Sequence, residues 1–254
     1  MLMLRKSYLT LIFFLLYFPI GILVLYSFND ARFSLTWHGF SLHWYQELLH
    51  DKDLWIAFLH SLFLGVTASF IACLLSLIVS LHFFIHKNLK KRSLDTLLLL
   101  LVILPDLVLG VSLLIFFNYV AIPLGFWSLL IAHITFCIPF TVITLNSRIH
   151  HLDVNIYFSA LDLGATHKAV LRKILFPLLW PALLSAFLLG FTLSFDDVII
   201  SYFVAGPDFN ILPLTIYSLV RAGVTPELNA LCSITLILSI FLVIISHYFS
   251  RETP

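Results

Sequence analysis

Residues 56–85 read IAFLHSLFLGVTASFIACLLSLIVSLHFFI, an apolar run without one Asp, Glu, Lys or Arg. A helix crosses the hydrocarbon core of a bilayer with about 20 predominantly apolar residues, and this run is longer. Backbone groups in lipid must be bonded within their own segment, which a helix achieves and an open strand does not. The same criterion selects residues 8–28, 94–120, 126–146, 178–204 and 229–249. The expectation is an all-α membrane protein with six transmembrane helices, residues 1–254 forming a single transmembrane domain. Composition agrees: 61% of the residues are hydrophobic and 11% charged, with a mean hydropathy of +1.06. An ordinary soluble domain has roughly 45–50% and 25%, so the apolar excess has no interior to hide in and lipid must solvate it. Arg5 and Lys6 precede the run at 8–28, which is longer than a signal-peptide core and lacks a small-x-small cleavage site, so it reads as the first span.

Basic residues orient the chain. With the N-terminus cytoplasmic, that side holds Arg5, Lys6, Lys87, Lys90, Lys91, Arg92, Arg148, Lys168, Arg172, Lys173 and Arg251, and the opposite side holds Arg32, Lys52 and Arg221. Both termini are then cytoplasmic, as an even number of spans requires. The net charge of +1 gives no basic face for nucleic acid.

Two loops exceed what a connection needs. The extracytoplasmic loop 29–55 carries Trp37, Trp44 and Trp55, residues suited to a membrane–water interface. The cytoplasmic loop 147–177 contains, with its continuation, DVNIYFSALDLGATHKAVLRKILFPLLWP over 153–181. Ile156, Ala160 and Leu163 recur at helical spacing, Gly164 permits a positive φ, Thr166 caps a second helix bearing Lys168, Arg172 and Lys173, and Pro177 ends or bends it. The pattern is helix, glycine turn, helix.

Three carboxylates fall in the body of the spans: Asp106, Asp196 and Asp197. Each costs about 2.5–3.5 kcal/mol at a helix centre. Without a Lys or Arg in the spans, they face a watery path, are protonated or meet a cation, or they are structural and bond neighbouring hydroxyls such as Ser194 and Ser201 or the partner subunit. Asp106 follows Pro105, where a kink frees backbone groups to line a cavity. Tyr119, Trp127, Tyr202 and Tyr217 read as packing residues, and His60, His82 and His133 as hydrogen-bonded helix contacts. Cys73, Cys137 and Cys232 lie in apolar runs and read as small core residues. There is no phosphate-binding G-x-x-x-x-G-K-[ST] loop and no hydrolase motif. An intramembrane aspartyl protease would need a Gly-rich motif beside one of its acids, which Asp106 and Asp196 lack.

The cytoplasmic stretch resembles the ATPase-docking loop of ABC importer permeases. Ser159-Ala160, Gly164-Ala165 and Pro177 match its pattern, and Phe158 holds the position of the family's glutamate, where an aromatic can anchor the helix in a groove. LSFDDVIISYFVAGPDFNILPLTIYSLVRAGVTPELNAL, residues 193–231, resembles the C-type permease subunits of spermidine/putrescine importers. Asp196-Asp197, Gly206-Pro207, Ile211-Leu212-Pro213-Leu214, Pro226-Glu227 and Asn229-Ala230 fit in order, and Leu104-Pro105-Asp106 fits in the first half. The resemblance implies a MetI-like (type I importer) permease fold in the bacterial inner membrane and polyamine import. It implies Asp106, Asp196 and Asp197 along the substrate path and Phe158, Ser159, Ala160, Gly164, Ala165 and Pro177 at the docking surface. The implied partners are a second homologous permease subunit in a heterodimer, two copies of an ATP-binding subunit, a periplasmic polyamine-binding protein and membrane lipid, with no nucleic acid and no cofactor in this chain. The alternative is import of another small solute. An anion would call for basic residues at the midplane, where the fixed charge here is acidic.

The orientation is testable by reporter fusions. A reporter within 147–177 is expected to score as cytoplasmic, and an extracytoplasmic score there would overturn the topology.

Overall fold

The computed structural model describes residues 2–31, 36–86, 91–223 and 225–251. Arg32, Lys87 and Lys90, which contribute to the orientation, lie outside the described residues. Among the described residues twelve α-helices follow in order: α1 Leu2–Tyr26, α2 His43–His50, α3 Lys52–Ile85, α4 Lys91–Ile103, α5 Asp106–Tyr119, α6 Phe126–Ile149, α7 Asn155–Asp162, α8 His167–Val170, α9 Phe176–Phe195, α10 Ile199–Val204, α11 Leu212–Ala222 and α12 Pro226–Arg251. Among the described residues the only β pairing is an isolated bridge between Asn29 and Phe40.

Of the six expected spans, four, or five if a bent pair counts as one, are found among the described residues. Four helices there are long and apolar enough to cross a membrane: Tyr8–Tyr26, Lys52–Ile85, Phe126–Ile149 and His167–Phe195. The expected third span, 94–120, is instead a pair, Ser93–Ile103 and Asp106–Tyr119, bent by 104°. Pro105 causes this. It has no N–H to donate and pushes the residue before it out of the helical region, and it lies extended at φ −60° and ψ 135°. The sixth element, α12, is helical over the expected 229–249, and its apolar stretch among residues with described side chains, Pro226–Phe241, is shorter than a full span.

The expected fifth span, 178–204, differs at both ends. At its start, α8 runs through a five-residue π-turn, Leu171–Leu175, directly into α9. Pro177 therefore does not end the helix. A proline crowds the carbonyl four residues back, and the wide turn just before it takes up that crowding, with Phe176 N–H reaching Leu171 O five residues away. At its far end α9 stops at Phe195, and a separate short helix, α10, follows after residues 196–198. Asp196 and Asp197 thus lie at a helix break, where the sequence suggested consecutive positions on one helix.

The bundle centre is α3, α6 and α9, packed through small residues that let backbones approach. A Cβ on Gly190 would sit 3.3 Å from both Ser69 Cβ and Thr141 Cγ2, and one on Gly65 would sit 3.1 Å from the Phe191 ring. Ser76 and Thr141 hydroxyls join α3 to α6 at 2.6 Å, and the Cys137 thiol donates to Gly190 O at 3.3 Å. Cys73, Cys137 and Cys232 are free. His60 Nδ1 bonds Asn210 O at 2.9 Å while its ring stacks on Phe209, and His82 stacks on His86. In loop 29–55 the Trp44 indole donates to Asn29 O at 2.9 Å, pinning α2, while Trp37 and Trp55 stay exposed.

A second layer is the pair α5/α10. Gly110 lies against Ile199 and Ile200, and further along Gly206 lies against Leu124. The two helices therefore run side by side in the same direction. Gly206 has φ +71°, and a Cβ there would fall 2.6 Å from Leu124 O. Left-handed backbone costs a non-glycine residue about 1–2 kcal/mol, and a backbone clash adds to it. Gly206→Ala is expected to lower the thermal midpoint of the purified protein, whereas Gly21→Ala, with nothing within 4 Å, leaves it unchanged. Equal midpoints would show that the contact is not needed.

Candidate functional site

Two interrupted spans run side by side through the helices that follow their breaks. Gly110 of α5 packs on Ile199 and Ile200 of α10. Asp106 lies one turn before Gly110 on α5, and Asp196 lies at the break that precedes α10. Asp106 is the first residue of α5, after Pro105, and is partly exposed. Asp196 caps the C-terminus of α9, its N–H bonding Thr192 O at 3.1 Å, and its side chain is exposed. These positions are electrostatically opposite. A carboxylate at a helix N-terminus is favoured by the dipole, and one at a C-terminus is disfavoured.

Asp197 turns the other way, into the protein, with its side chain only 5% exposed. Its Oδ1 accepts the Ile200 N–H at 3.3 Å, and its Oδ2 accepts the Ser201 N–H and hydroxyl, each at 2.8 Å. It thereby satisfies two of the orphan donors of α10, the work of an N-cap side chain. Ser201, one of the hydroxyl partners open to these acids from sequence, is the one bonded to Asp197. His133 of α6 completes the cluster: Nε2 is 3.0 Å from Ser201 Oγ and 3.7 Å from Asp197 Oδ2, and Nδ1 is 2.6 Å from Ser194 Oγ. Because Ser201 gives its proton to the carboxylate, His133 Nε2 must be the donor to Ser201. His133, Ser194 and Ser201 are all buried. Sequence reading found His133 as a helix contact, but nothing in the sequence names its partners.

Further along α10 an open cavity of about 410 Å³ is lined by Tyr202, Tyr217, Ser218 and Arg221 with Leu124 and Gly206. The Tyr202 and Tyr217 rings meet edge to face with centroids 5.9 Å apart, and the Arg221 guanidinium sits 4.7 Å from the Tyr217 centroid. Tyr119 and Trp127 are largely exposed, at 90% and 66%, and the Trp127 ring meets Phe126 edge to face with centroids 5.2 Å apart.

The cytoplasmic loop folds as helix, glycine turn, helix. Gly164 has φ +87°, and Thr166 Oγ1 accepts the Ala169 N–H at 3.3 Å. Tyr157 anchors α7, buried with Val170 and Leu175, and its hydroxyl meets His167 Nδ1 at 2.7 Å. Ala160 and Ala165 pack at the edge of this cluster. Ile156, Phe158, Ser159, Leu163, Gly164 and Pro177 are exposed, Leu163 at 89%. Ile156 and Phe158 flank the buried Tyr157, and with Leu163 they leave apolar side chains exposed around the turn among the described residues.

Comparison with known proteins decides the family. Residues 72–252 match the family described as the binding-protein-dependent transport system inner membrane component. The chain belongs to this family. It is 43% identical over 250 residues to the spermidine/putrescine transport system permease protein PotC of Escherichia coli (strain K12), covering 98% of this chain and 95% of that protein. It is 36% identical over 232 residues to the putrescine transport system permease protein PotI of the same organism, covering 88% and 82%. Its fold is similar to that of a bacterial ABC transporter involved in the import of the acidic polysaccharide alginate, with a TM-score of 0.75, 14% identity, and coverage of 99% of this chain and 95% of that one. Membership in this family, with several apolar helices, makes the chain a multi-pass inner-membrane protein.

The two adjacent acids should separate by stability. Asp197→Ala strands two backbone N–H groups and a hydroxyl in a buried site, at about 1–3 kcal/mol for each donor left unmade. The purified permease is expected to lose yield and melt lower, while Asp196→Ala, exposed, keeps the parent midpoint. A parent-like Asp197→Ala protein would refute the capping role.

Proposed function

We propose that residues 1–254 form one transmembrane permease domain, half of an ABC importer that moves polyamines of the spermidine and putrescine class into the cytoplasm. The near full-length identity to PotC, with PotI behind it, supports the substrate class. The observation in this chain that carries the reading is Asp196, an exposed carboxylate at the C-terminal end of α9. The helix dipole makes that end negative already, so the carboxylate adds charge of the same sign and a passing ammonium group relieves it. Asp106 adds a second acid at the break that precedes α5. A polycation must shed water to cross, and fixed acids in a low-dielectric path offset that loss better than they would in bulk water. Asp197 supports the path by holding α10.

The partners follow from the family and the surface: a second homologous permease, two copies of an ATP-binding subunit and a periplasmic polyamine-binding protein. With the N- and C-termini cytoplasmic, loop 147–177 faces the ATP-binding subunits. The exposed side chains of Ile156, Phe158 and Leu163, with Ser159, Gly164 and Pro177 beside them and Ala160 and Ala165 beneath, offer an apolar anchor for a groove on that partner.

Neutralising the path acids tests the reading. Asp196→Asn and Asp106→Asn are expected to assemble with the ATPase at parent levels and to lose spermidine uptake by on the order of ten-fold or more per assembled complex, since 1.4 kcal/mol of lost cation stabilisation is ten-fold. Unchanged uptake per complex in both variants would overturn the path assignment.

A further inference from the structure

The break between α9 and α10 is bridged by one side chain. Ser194 lies in the last turn of α9 and Ser201 in the first turn of α10, and the His133 imidazole touches both, 2.6 Å to the one and 3.0 Å to the other. No backbone hydrogen bond crosses residues 197–198 to do the same work. The nearest regular bonds are Asp196 N–H to Thr192 O on one side and Tyr202 N–H to Val198 O on the other. His133 comes from α6, the central helix of the bundle. α6 holds α10 at a second point, where Ser128 Oγ donates to Val204 O at 2.7 Å. α10 is therefore hydrogen-bonded to α6 at both of its ends, and α9 is tied to α6 beside the break and again through Cys137 and Gly190. Directly at the break, one imidazole between two hydroxyls is the link that joins the two half-helices.

Asp196 is inside that bridge, two residues after Ser194 and five before Ser201. Its neighbour Asp197 faces inward and is held by Ser201, which is itself held by His133. With Asp197 turned in, Asp196 turns out. We propose that His133 is the positioning residue that sets the α9–α10 break and thereby aims the Asp196 carboxylate into the cation path. This deepens the reading of Asp196 as a path acid and rests on it. His133 is buried at 1% exposure, so it acts through Asp196 and does not touch the substrate. The rigid ring matters. Asn also carries a donor and an acceptor, but its shorter side chain places them closer to α6 and holds them in a different orientation, so it does not reproduce both of the imidazole's contacts at once.

The test uses the complete importer in proteoliposomes with its binding protein, and spermidine as the probe. His133→Asn is expected to assemble and to keep the apparent KM for spermidine within about two-fold, because capture belongs to the binding protein. Its maximal uptake per assembled complex is expected to fall on the order of ten-fold, since a misplacement of about 1 Å can cost more than that. The decisive measurement is the cycle with Asp196→Asn. A residue acting through Asp196 has nothing left to position once that charge is gone, so the double variant should be no worse than Asp196→Asn alone. Additive losses, or normal uptake per complex in His133→Asn, overturn the proposal while leaving the path reading intact. Normal uptake per complex in Asp196→Asn alone overturns the path reading itself. If His133→Asn does not assemble, Ser194→Ala removes one arm of the bridge, leaves every donor to Asp197 in place, and carries the same cycle with the same two outcomes.

Discussion

A helix interrupted inside a membrane leaves N–H and C=O groups that lipid cannot satisfy, and each stranded group costs several kcal/mol. The structure turns on how this chain meets that requirement at residues 196–198. The carboxylate of Asp197 takes the first N–H groups of α10, Ser201 donates its hydroxyl to the same carboxylate, and His133 ties both to the bundle centre. With the N-terminal end of α10 satisfied internally, α9 can stop short. The carbonyl end of α9, with Asp196 on it, is then left facing outward.

This arrangement divides labour between two neighbouring acids. A carboxylate placed at a helix N-terminus is partly neutralised by the dipole, while one placed at a C-terminus is not. Asp197 therefore uses its charge inside the protein, and Asp196 offers its charge outward. Asp106 shows an intermediate case, at the N-terminus of α5 but partly exposed after the sharp turn at Pro105. Gly110 lets α5 pack closely on α10, so the helix that follows one break lies against the helix that follows the other.

On the cytoplasmic side a different interruption is handled without ending the helix. The π-turn at Leu171–Leu175 accommodates Pro177, so α8 and α9 continue as one helix from the glycine turn into the bundle. Tyr157 and His167 close the turn from inside, and the positive φ of Gly164 makes it sharp.

The sequence by itself determined the fold class, the apolar segments, the inner-membrane setting, the glycine turn, the Thr166 cap and the acids as anomalies. Each of these is local: lipid dictates composition over about 20 residues, a turn or cap depends on a few neighbours, and a carboxylate in an apolar run stands out wherever it sits. Where the helices break was only partly legible. Pro105 signalled one break, Pro177 signalled an end or bend where the helix continues through the π-turn, and the stop at Phe195 has no proline or glycine to mark it. Tertiary structure alone decided which of Asp196 and Asp197 faces inward. That choice depends on His133, which comes from another helix, 61 residues from Ser194 and 68 from Ser201 in the chain, and no local pattern encodes the rotation of one helix against another.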